Sequence, residues 1–463
     1  MTKPQDEIYK YQSGFGNQFE SEALPGALPV GQNTPLYPPY GLFTEQLNGT
    51  AFTVPRNHFN QRSWLYRIHP SVNHNSFSPY TKNKRIVGNF NNPNNVTITP
   101  DQLRWLPFEI PKLPDAVDFV DGISTLCGAG DPSLCAGMSI HIYLANSDMK
   151  NRAMMNSDGD FLIVPQQGTM DIQTEFGKMT VRPNEICVIQ RGIKFKVEFL
   201  KEDKAAYRGY IFEVYGANYE LPELGPIGSN GLANVRDFLT PVAAYDENSE
   251  SKQFEIVQKF HGQMFSAVQN RSPFDVVAWH GNYAPYKYDL DRFCAIDSVT
   301  FDISDPSIYT VLTCKSQKIG TATFDFMIIP PRYSVQKNTL RIPYFHRNVM
   351  TEFAALLFGG YGGEESSFQP GGAVIHSSVG PHGPETQAFE KAVKIPNGAF
   401  EIGGGSQILL CESMYQLVTT KWAIQDCGKL YKDYSKEDWG DIKVRFNPHK
   451  RDFDITDYTD NSL

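Results

Sequence analysis

The sequence predicts a mainly β protein, a two-domain sandwich or jelly-roll with few short helices. Three observations carry that expectation. Aromatic residues make up 13% of the 463 positions, and 31 prolines and 37 glycines punctuate them, a composition of strands and turns rather than of helical bundles. Between positions 138 and 199 short apolar runs recur at roughly eight-to-ten-residue spacing, separated by Gly or Pro-Asn turns, the rhythm of a sandwich or barrel rather than of βαβ units. Finally, Ile193, Phe195, Val197 and Phe199 alternate with Lys194, Lys196 and Glu198, the period of two that marks a half-buried strand.

Taken in order, residues 11–70 are loop-rich, with Ser13-Gly14-Phe15-Gly16-Asn17, Leu24-Pro25-Gly26 and the Pro-rich stretch 35–41 breaking regular elements. Ser63-Trp64-Leu65-Tyr66-Arg67-Ile68 reads as a strand within them. Residues 71–100, rich in Asn and Ser and without periodicity, read as a surface loop. Strands follow at Ser139-Ile140-His141-Ile142-Tyr143-Leu144, Asp160-Phe161-Leu162-Ile163-Val164-Pro165, Met170-Asp171-Ile172-Gln173-Thr174, Lys178-Met179-Thr180-Val181 and Ile186-Cys187-Val188-Ile189, together an antiparallel sandwich. His141 stands alone on its strand, without a carboxylate at ligand spacing; a structural role is expected and no metal. Residues 221–234 read as a crossing loop, and 270–290, with Trp279-His280-Gly281-Asn282-Tyr283, as the connection into a second domain. That domain opens with strands at Ser298-Val299-Thr300-Phe301, Tyr309-Thr310-Val311-Leu312-Thr313 and 322–329. Helices are expected at 386–394 and within 431–440. The domain expectation is therefore 1–290 (β-sandwich), 291–446 (second β domain) and a polar tail, 447–463, loose or docked on a partner.

The net charge of −9 argues against general nucleic-acid binding and against an anionic membrane surface. Apolar runs such as 353–358 are far shorter than a membrane span. The start, Met1-Thr2-Lys3-Pro4-Gln5-Asp6-Glu7, has no apolar segment of the signal-peptide kind. Seven cysteines, odd in number and without a C-x-x-C pair, fit free, buried or semi-buried thiols in a reducing cytoplasm better than disulfides or a thiolate zinc site.

Chemistry concentrates at Pro343-Tyr344-Phe345-His346-Arg347-Asn348-Val349-Met350-Thr351-Glu352 and, farther on, at Gly380-Pro381-His382-Gly383-Pro384. On a helix, His346 and Glu352 would stand about 240° apart; on one strand they would share a face but lie about 20 Å apart. Both reach one ion only if the chain turns between them, and Arg347-Asn348 is a plausible turn. With Gly359 the pattern is H-x5-E-x6-G, a stretched and partial form of the first cupin motif. A third ligand belongs on the next hairpin, where Pro370-Gly371-Gly372-Ala373-Val374-Ile375-His376 nominates His376 and the Gly-Pro-His-Gly-Pro frame nominates His382. Spacing does not choose between them. Two His and one carboxylate are the donor set of a mononuclear non-haem Fe(II) site with open positions, and the lack of a cysteine in the set disfavours zinc.

The chain resembles the homogentisate 1,2-dioxygenases nearly end to end. The resemblance rests on Ser13-Gly14-Phe15-Gly16-Asn17, Arg62-Ser63-Trp64-Leu65-Tyr66-Arg67, Gln102-Leu103-Arg104-Trp105, Pro107-Phe108-Glu109-Ile110-Pro111 and Thr125-Leu126-Cys127-Gly128-Ala129-Gly130-Asp131. It continues through residues 156–165 and 184–192, Trp279-His280-Gly281-Asn282-Tyr283 and the metal stretch. It implies a two-domain cupin-like β fold, a ferrous ion, O2 as co-substrate, and opening of the homogentisate ring to 4-maleylacetoacetate in tyrosine and phenylalanine breakdown. It implies His346, Glu352 and His382 as metal ligands, Tyr361 and His382 as substrate contacts, and a homohexamer built from two trimers. At one place the chain departs from the family. The position of the family's proposed acid–base histidine is Ile303, which carries no proton; His376 and His280 are the candidates for that role. Tyr361 and Arg347 are the candidate partners of the substrate's acetate arm. Two other readings are a non-catalytic bicupin binding protein and a cupin dioxygenase for another aromatic such as gentisate.

Overall fold

A computed structural model describes residues 7–459 apart from 54–59, 201–205, 224–231, 248–252, 303–308, 361–365 and 433. Ile303, Tyr361 and most of the 221–234 loop lie outside the described residues. Strands dominate, as expected, and the few helices are short: Thr386–Ala392, Tyr434–Trp439 and Ile455–Thr459 fall in the last third of the chain.

The centre is a ten-stranded sheet whose inner strands are Glu185–Ile189, Gly159–Gln167, Tyr207–Tyr215, Ala136–Ala145 and Ile123–Asp131. Side chains alternate faces along a strand, and here both faces are covered. Leu162, Val164, Tyr210 and Phe212 enter one core; Phe161, Ile163 and Ile211 enter another. Burial on both sides explains why Asp160–Pro165 reads as an apolar run instead of an alternation. The second core is closed by a seven-stranded sheet that includes Lys194–Phe199. There the alternation is real: Phe195, Val197 and Phe199 are buried while Lys196 pairs with Glu198 at 2.9 Å on the outer face.

The first core is closed by a six-stranded sheet of Thr310–Lys315, Ala322–Ile329, Gln407–Ser413, Thr351–Phe358, Ala373–His376 and Leu103–Trp105. Phe212 of the central sheet packs against Phe324, Phe326 and Phe353, with ring centroids 5.3, 5.9 and 6.0 Å apart. Strands are exchanged as well. Leu103–Trp105 completes the C-terminal sheet, and Val418–Thr420 pairs into the central one.

Several sequence expectations change. The sequence predicts an antiparallel sandwich for the first half, but Arg152–Asn156 runs parallel to Phe254–Phe260, so the sheets are not purely antiparallel. Residues 270–290 are integral strands, not a connection: Val276–Gly281 pairs with Arg62–Arg67 and Phe19–Glu22, and Trp279 is fully buried. Residues 71–100 carry two very short strands, Ser78–Pro79 and Val96–Thr97. They are anchored by side chains: Asn83 Nδ2 donates to the Val120 and Ile123 carbonyls at 2.8 and 2.9 Å. Residues 298–301 form bends rather than a strand, with Val299 and Phe301 exposed. All seven cysteines are free, but Cys135 and Cys294 are exposed. Among the described residues no helix is long and apolar enough to cross a membrane.

Candidate metal centre

Glu352 is the second residue of strand Thr351–Phe358, and its neighbours decide its surroundings. Phe353, Ala355 and Leu357 point into the core against the central sheet. Glu352 therefore shares the opposite face with Ala354 and Leu356, which pack under Tyr434 and Trp439. Across the sheet, Glu352 is flanked by Glu412 on one side and His376 on the other. Gly359 ends the strand with φ +81, where an added Cβ would sit 2.2 Å from the Gly405 carbonyl oxygen; the backbone there admits only glycine.

His346 reaches Glu352 because the chain bends at Val349-Met350, just beyond the expected turn. Asn348 holds that bend, its Oδ1 accepting from Met350 N at 3.0 Å, a local side-chain turn. Asn348 Nδ2 also donates to Glu352 Oε1 at 3.0 Å and to Glu412 Oε1 at 2.8 Å. His382 arrives on a separate loop. His346 N donates to the His382 carbonyl at 2.8 Å and His382 N to the His346 carbonyl at 3.0 Å. Gln102 Nε2 donates to the Pro381 carbonyl and steadies that loop.

The three side chains converge. His382 Nε2 lies 3.1 Å from Glu352 Oε2, and His346 Nε2 lies 3.4 Å from Glu352 Oε1. One candidate ligand atom from each residue lies within 4.8 Å of the other two. Both rings are oriented through the other nitrogen, His346 Nδ1 on the Tyr344 carbonyl at 2.8 Å and His382 Nδ1 on the Gly380 carbonyl at 3.0 Å. A carbonyl fixes the proton on Nδ1 and leaves the Nε2 lone pair for a cation. Burial alone would raise the Glu352 pKa; the hydrogen bonds from His346, His382 and Asn348 overcome it and hold the carboxyl well below its usual range. The His346 pKa is raised, chiefly by its hydrogen bond to Glu352. Glu412, by contrast, is pushed up to about 7 by desolvation and by the Glu352 charge.

The other expected residues fall at different distances from this cluster. His376 stacks on His382 with ring centroids 3.9 Å apart, and its Nε2 meets the Tyr434 hydroxyl at 3.1 Å. Its pKa is lowered to about 3 by desolvation and by His382. Arg347 is exposed and lines an open cleft of about 640 Å³ with Phe345, His346, His382, Trp439 and Ile442. His280 belongs to a different sheet, paired opposite Glu20 and Trp64, with Nε2 3.4 Å from the Tyr66 hydroxyl. His141 is fully buried between Thr125 Oγ1 and Glu213 Oε2, 3.0 Å from each. Sequence reading missed Asn348 as an orienting residue, Glu412, and the cleft wall of Trp439 and Ile442. The signal that could have found Glu412 is cross-strand register, which no local spacing carries.

Fold and cluster together correspond to one class: a β-sheet protein with a two-histidine, one-carboxylate triad, the donor set of non-haem iron oxygenases. Residues 10–290 match the family described as homogentisate 1,2-dioxygenase N-terminal, and residues 291–446 match its C-terminal counterpart. The chain belongs to the homogentisate 1,2-dioxygenase family. It is 55% identical to homogentisate 1,2-dioxygenase of Dictyostelium discoideum, over 92% of this chain and 98% of that one. It is 51% identical to the enzymes of Mus musculus and Homo sapiens, each over 96% of this chain and 98% of the relative.

Proposed function

We propose that this chain opens the aromatic ring of homogentisate with O2, giving 4-maleylacetoacetate, at the His346–Glu352–His382 cluster. Similarity over nearly the whole length to enzymes of that name supports the reaction. The observation that carries the site is the convergence of two Nε2 atoms and one carboxylate, each pre-oriented by its own hydrogen bond. This donor set fits Fe(II), because it offers two imidazoles and one oxygen and no thiolate. Bound there, ferrous iron would lower the pKa of a phenolic hydroxyl and open a one-electron route to O2.

The protein's own residues do the rest. The cleft bordering His346 and His382 is large enough for a single-ring substrate. Phe345 and Trp439 offer apolar walls, and Arg347 offers an exposed guanidinium to the acetate arm; Tyr361, outside the described residues, is the second candidate for that arm. His376, weakly basic and stacked on His382, is hydrogen-bonded to the Tyr434 hydroxyl and holds the His382 ring in place. That is a positioning role, distinct from the acid–base role at the position of Ile303. His280, against Tyr66 in another sheet, is the other candidate. A homohexamer of two trimers in the cytoplasm completes the proposal.

The test is direct. Purified protein supplied with ferrous iron should bind one iron per chain, consume O2 with homogentisate, and form a product absorbing in the near ultraviolet. Gentisate should be turned over far more slowly. Full activity in His346→Ala/Glu352→Ala would overturn the site assignment, and an iron-free, inactive wild-type chain would favour a binding protein.

A further inference from the structure

Far from the triad in sequence, the pattern Ser13-Gly14-Phe15-Gly16-Asn17 has no part in the chemistry above, yet it is firmly seated. Ser13 Oγ donates to the Arg236 carbonyl at 2.5 Å, and Gly14 N donates to the Phe238 carbonyl at 2.9 Å. The Phe15 ring packs edge-on against Phe238 and Tyr286, with centroids 4.8 and 5.2 Å away. What this segment partly covers is a small cavity of about 40 Å³, walled also by Asp160, Gln190, Tyr219 and Tyr286.

Three of the wall residues bring a buried oxygen with no hydrogen-bond partner: Asp160 Oδ2, Gln190 Oε1 and Tyr286 Oη. These residues are 2%, 8% and 9% exposed. Their other polar atoms are already committed. Asp160 Oδ1 accepts from Arg191 N at 2.8 Å, and Gln190 Nε2 donates to the Ala284 carbonyl at 2.6 Å. The Gln190 contact fixes the amide so that its oxygen, not its nitrogen, is left over. Buried polar atoms are ordinarily satisfied, and an orphaned one is costly; three around one small cavity call for a guest that offers positive charge or donors.

We propose that this cavity binds one monovalent inorganic cation, sodium, potassium or ammonium, ligated by Asp160, Gln190 and Tyr286. Charge balance selects the valence. The set holds a single carboxylate and two neutral oxygens, whereas divalent calcium sites gather several carboxylates among six to eight oxygens. The opposite charge acting on Asp160 comes from Arg191, whose guanidinium is turned to Cys135 Sγ at 3.8 Å. Burial pushes the Asp160 carboxyl up to about 6, so at neutral pH it is mostly ionised and the ion supplies its counter-charge. Volume agrees, since about 40 Å³ admits a small ion with a water or two. The ion would bridge three strands of the central sheet beneath the N-terminal segment.

Two measurements on the full-length, iron-loaded protein test this. Thermal unfolding is followed at constant ionic strength while choline chloride is replaced by sodium, potassium or ammonium chloride. At least one ion should give a saturable rise in Tm of about 2–3 °C at a hundredfold excess over its Kd, and Asp160→Asn should abolish the rise. Crystals of the wild-type chain soaked in thallium(I) or rubidium should show an anomalous peak in contact with Asp160, Gln190 and Tyr286. A site holding only water, with no peak there, overturns the proposal whatever the Tm does. So does an ion-specific rise that survives in Asp160→Asn.

Discussion

His346 and His382 exchange both of their backbone hydrogen bonds, 2.8 Å in one direction and 3.0 Å in the other, as an isolated antiparallel rung between two loops. Their rings stand 4.2 Å apart, both facing Glu352. Two candidate ligands on different loops are thus set in register by main-chain bonds that do not pass through the ion. Such pre-organisation removes part of the ordering cost of binding.

That rung depends on how closely the loops approach. A Cβ on Gly383 would lie 2.4 Å from the Phe345 ring and 2.8 Å from its Cα, closer than packed atoms come. Gly383→Ala should push the loops apart and cost at least about tenfold in metal affinity, the scale of losing an orienting contact. Gly360→Ala, where an added Cβ meets nothing within 4 Å, is the matched control and should change neither metal binding nor turnover. Chelator competition on both variants measures the difference.

Asn348 offers a second test. Its side-chain nitrogen serves Glu352 and Glu412 together, keeping the ligand carboxylate oriented beside a second acidic group. Asn348→Ala should weaken metal binding by about 10–100-fold with little loss of global stability, because the residue sits in a bend outside the core. Equal metal affinity in wild type and variant would remove Asn348 from the site's support.

How much of this was legible in the sequence follows from how local each cause is. Ile193–Phe199 declared itself because every second side chain is outward and charged. Asp160–Val164 gave a strand without its neighbours, since burial on both faces erases the alternation. Trp279 and its flanking residues read as a connection because their pairing partners are Arg62–Arg67 and Phe19–Glu22, more than two hundred positions away. The triad was visible as residue types but not as a choice between His376 and His382. The two rings stack on one another, and what separates them is which nitrogen faces Glu352. His376 Nε2 is taken by Tyr434. Glu412 stayed hidden because only sheet register brings it beside Glu352.

The resemblance to the family implies an acid–base histidine at the position that Ile303 holds in this chain. A positioned base contributes about 10²–10⁴-fold in typical enzymes, so a chain lacking one has room to improve. Ile303→His is expected to raise kcat by at least about tenfold with KM little changed, and to add a limb to the pH–rate profile near the pKa of histidine. Stopped-flow O2 consumption across pH 5–9 reads both. An unchanged profile would mean that the proton is handled elsewhere.

The last prediction concerns stability away from the metal. Glu213 is fully buried beside Lys259 Nζ at 2.8 Å and His141 Nε2 at 3.0 Å, and Lys259 also holds Asp158 at 2.6 Å. Desolvation would raise the Glu213 pKa, but Lys259 and His141 outweigh it and bring it down to about 2, below the ordinary glutamate value of 4.5. Ionised Glu213 therefore stabilises the fold above that ordinary value, and the contribution fades as pH falls from about 4.5 towards 2. Glu213→Gln leaves the Lys259 ammonium buried with less compensation, which costs about 3–5 kcal/mol at pH 7. Because the variant lacks the titrating group, its stability should also decline less steeply between pH 4.5 and 2. Urea unfolding of the metal-free protein at a series of pH values tests both, and an unchanged slope in that acid window would show that Glu213 is not the group being protonated.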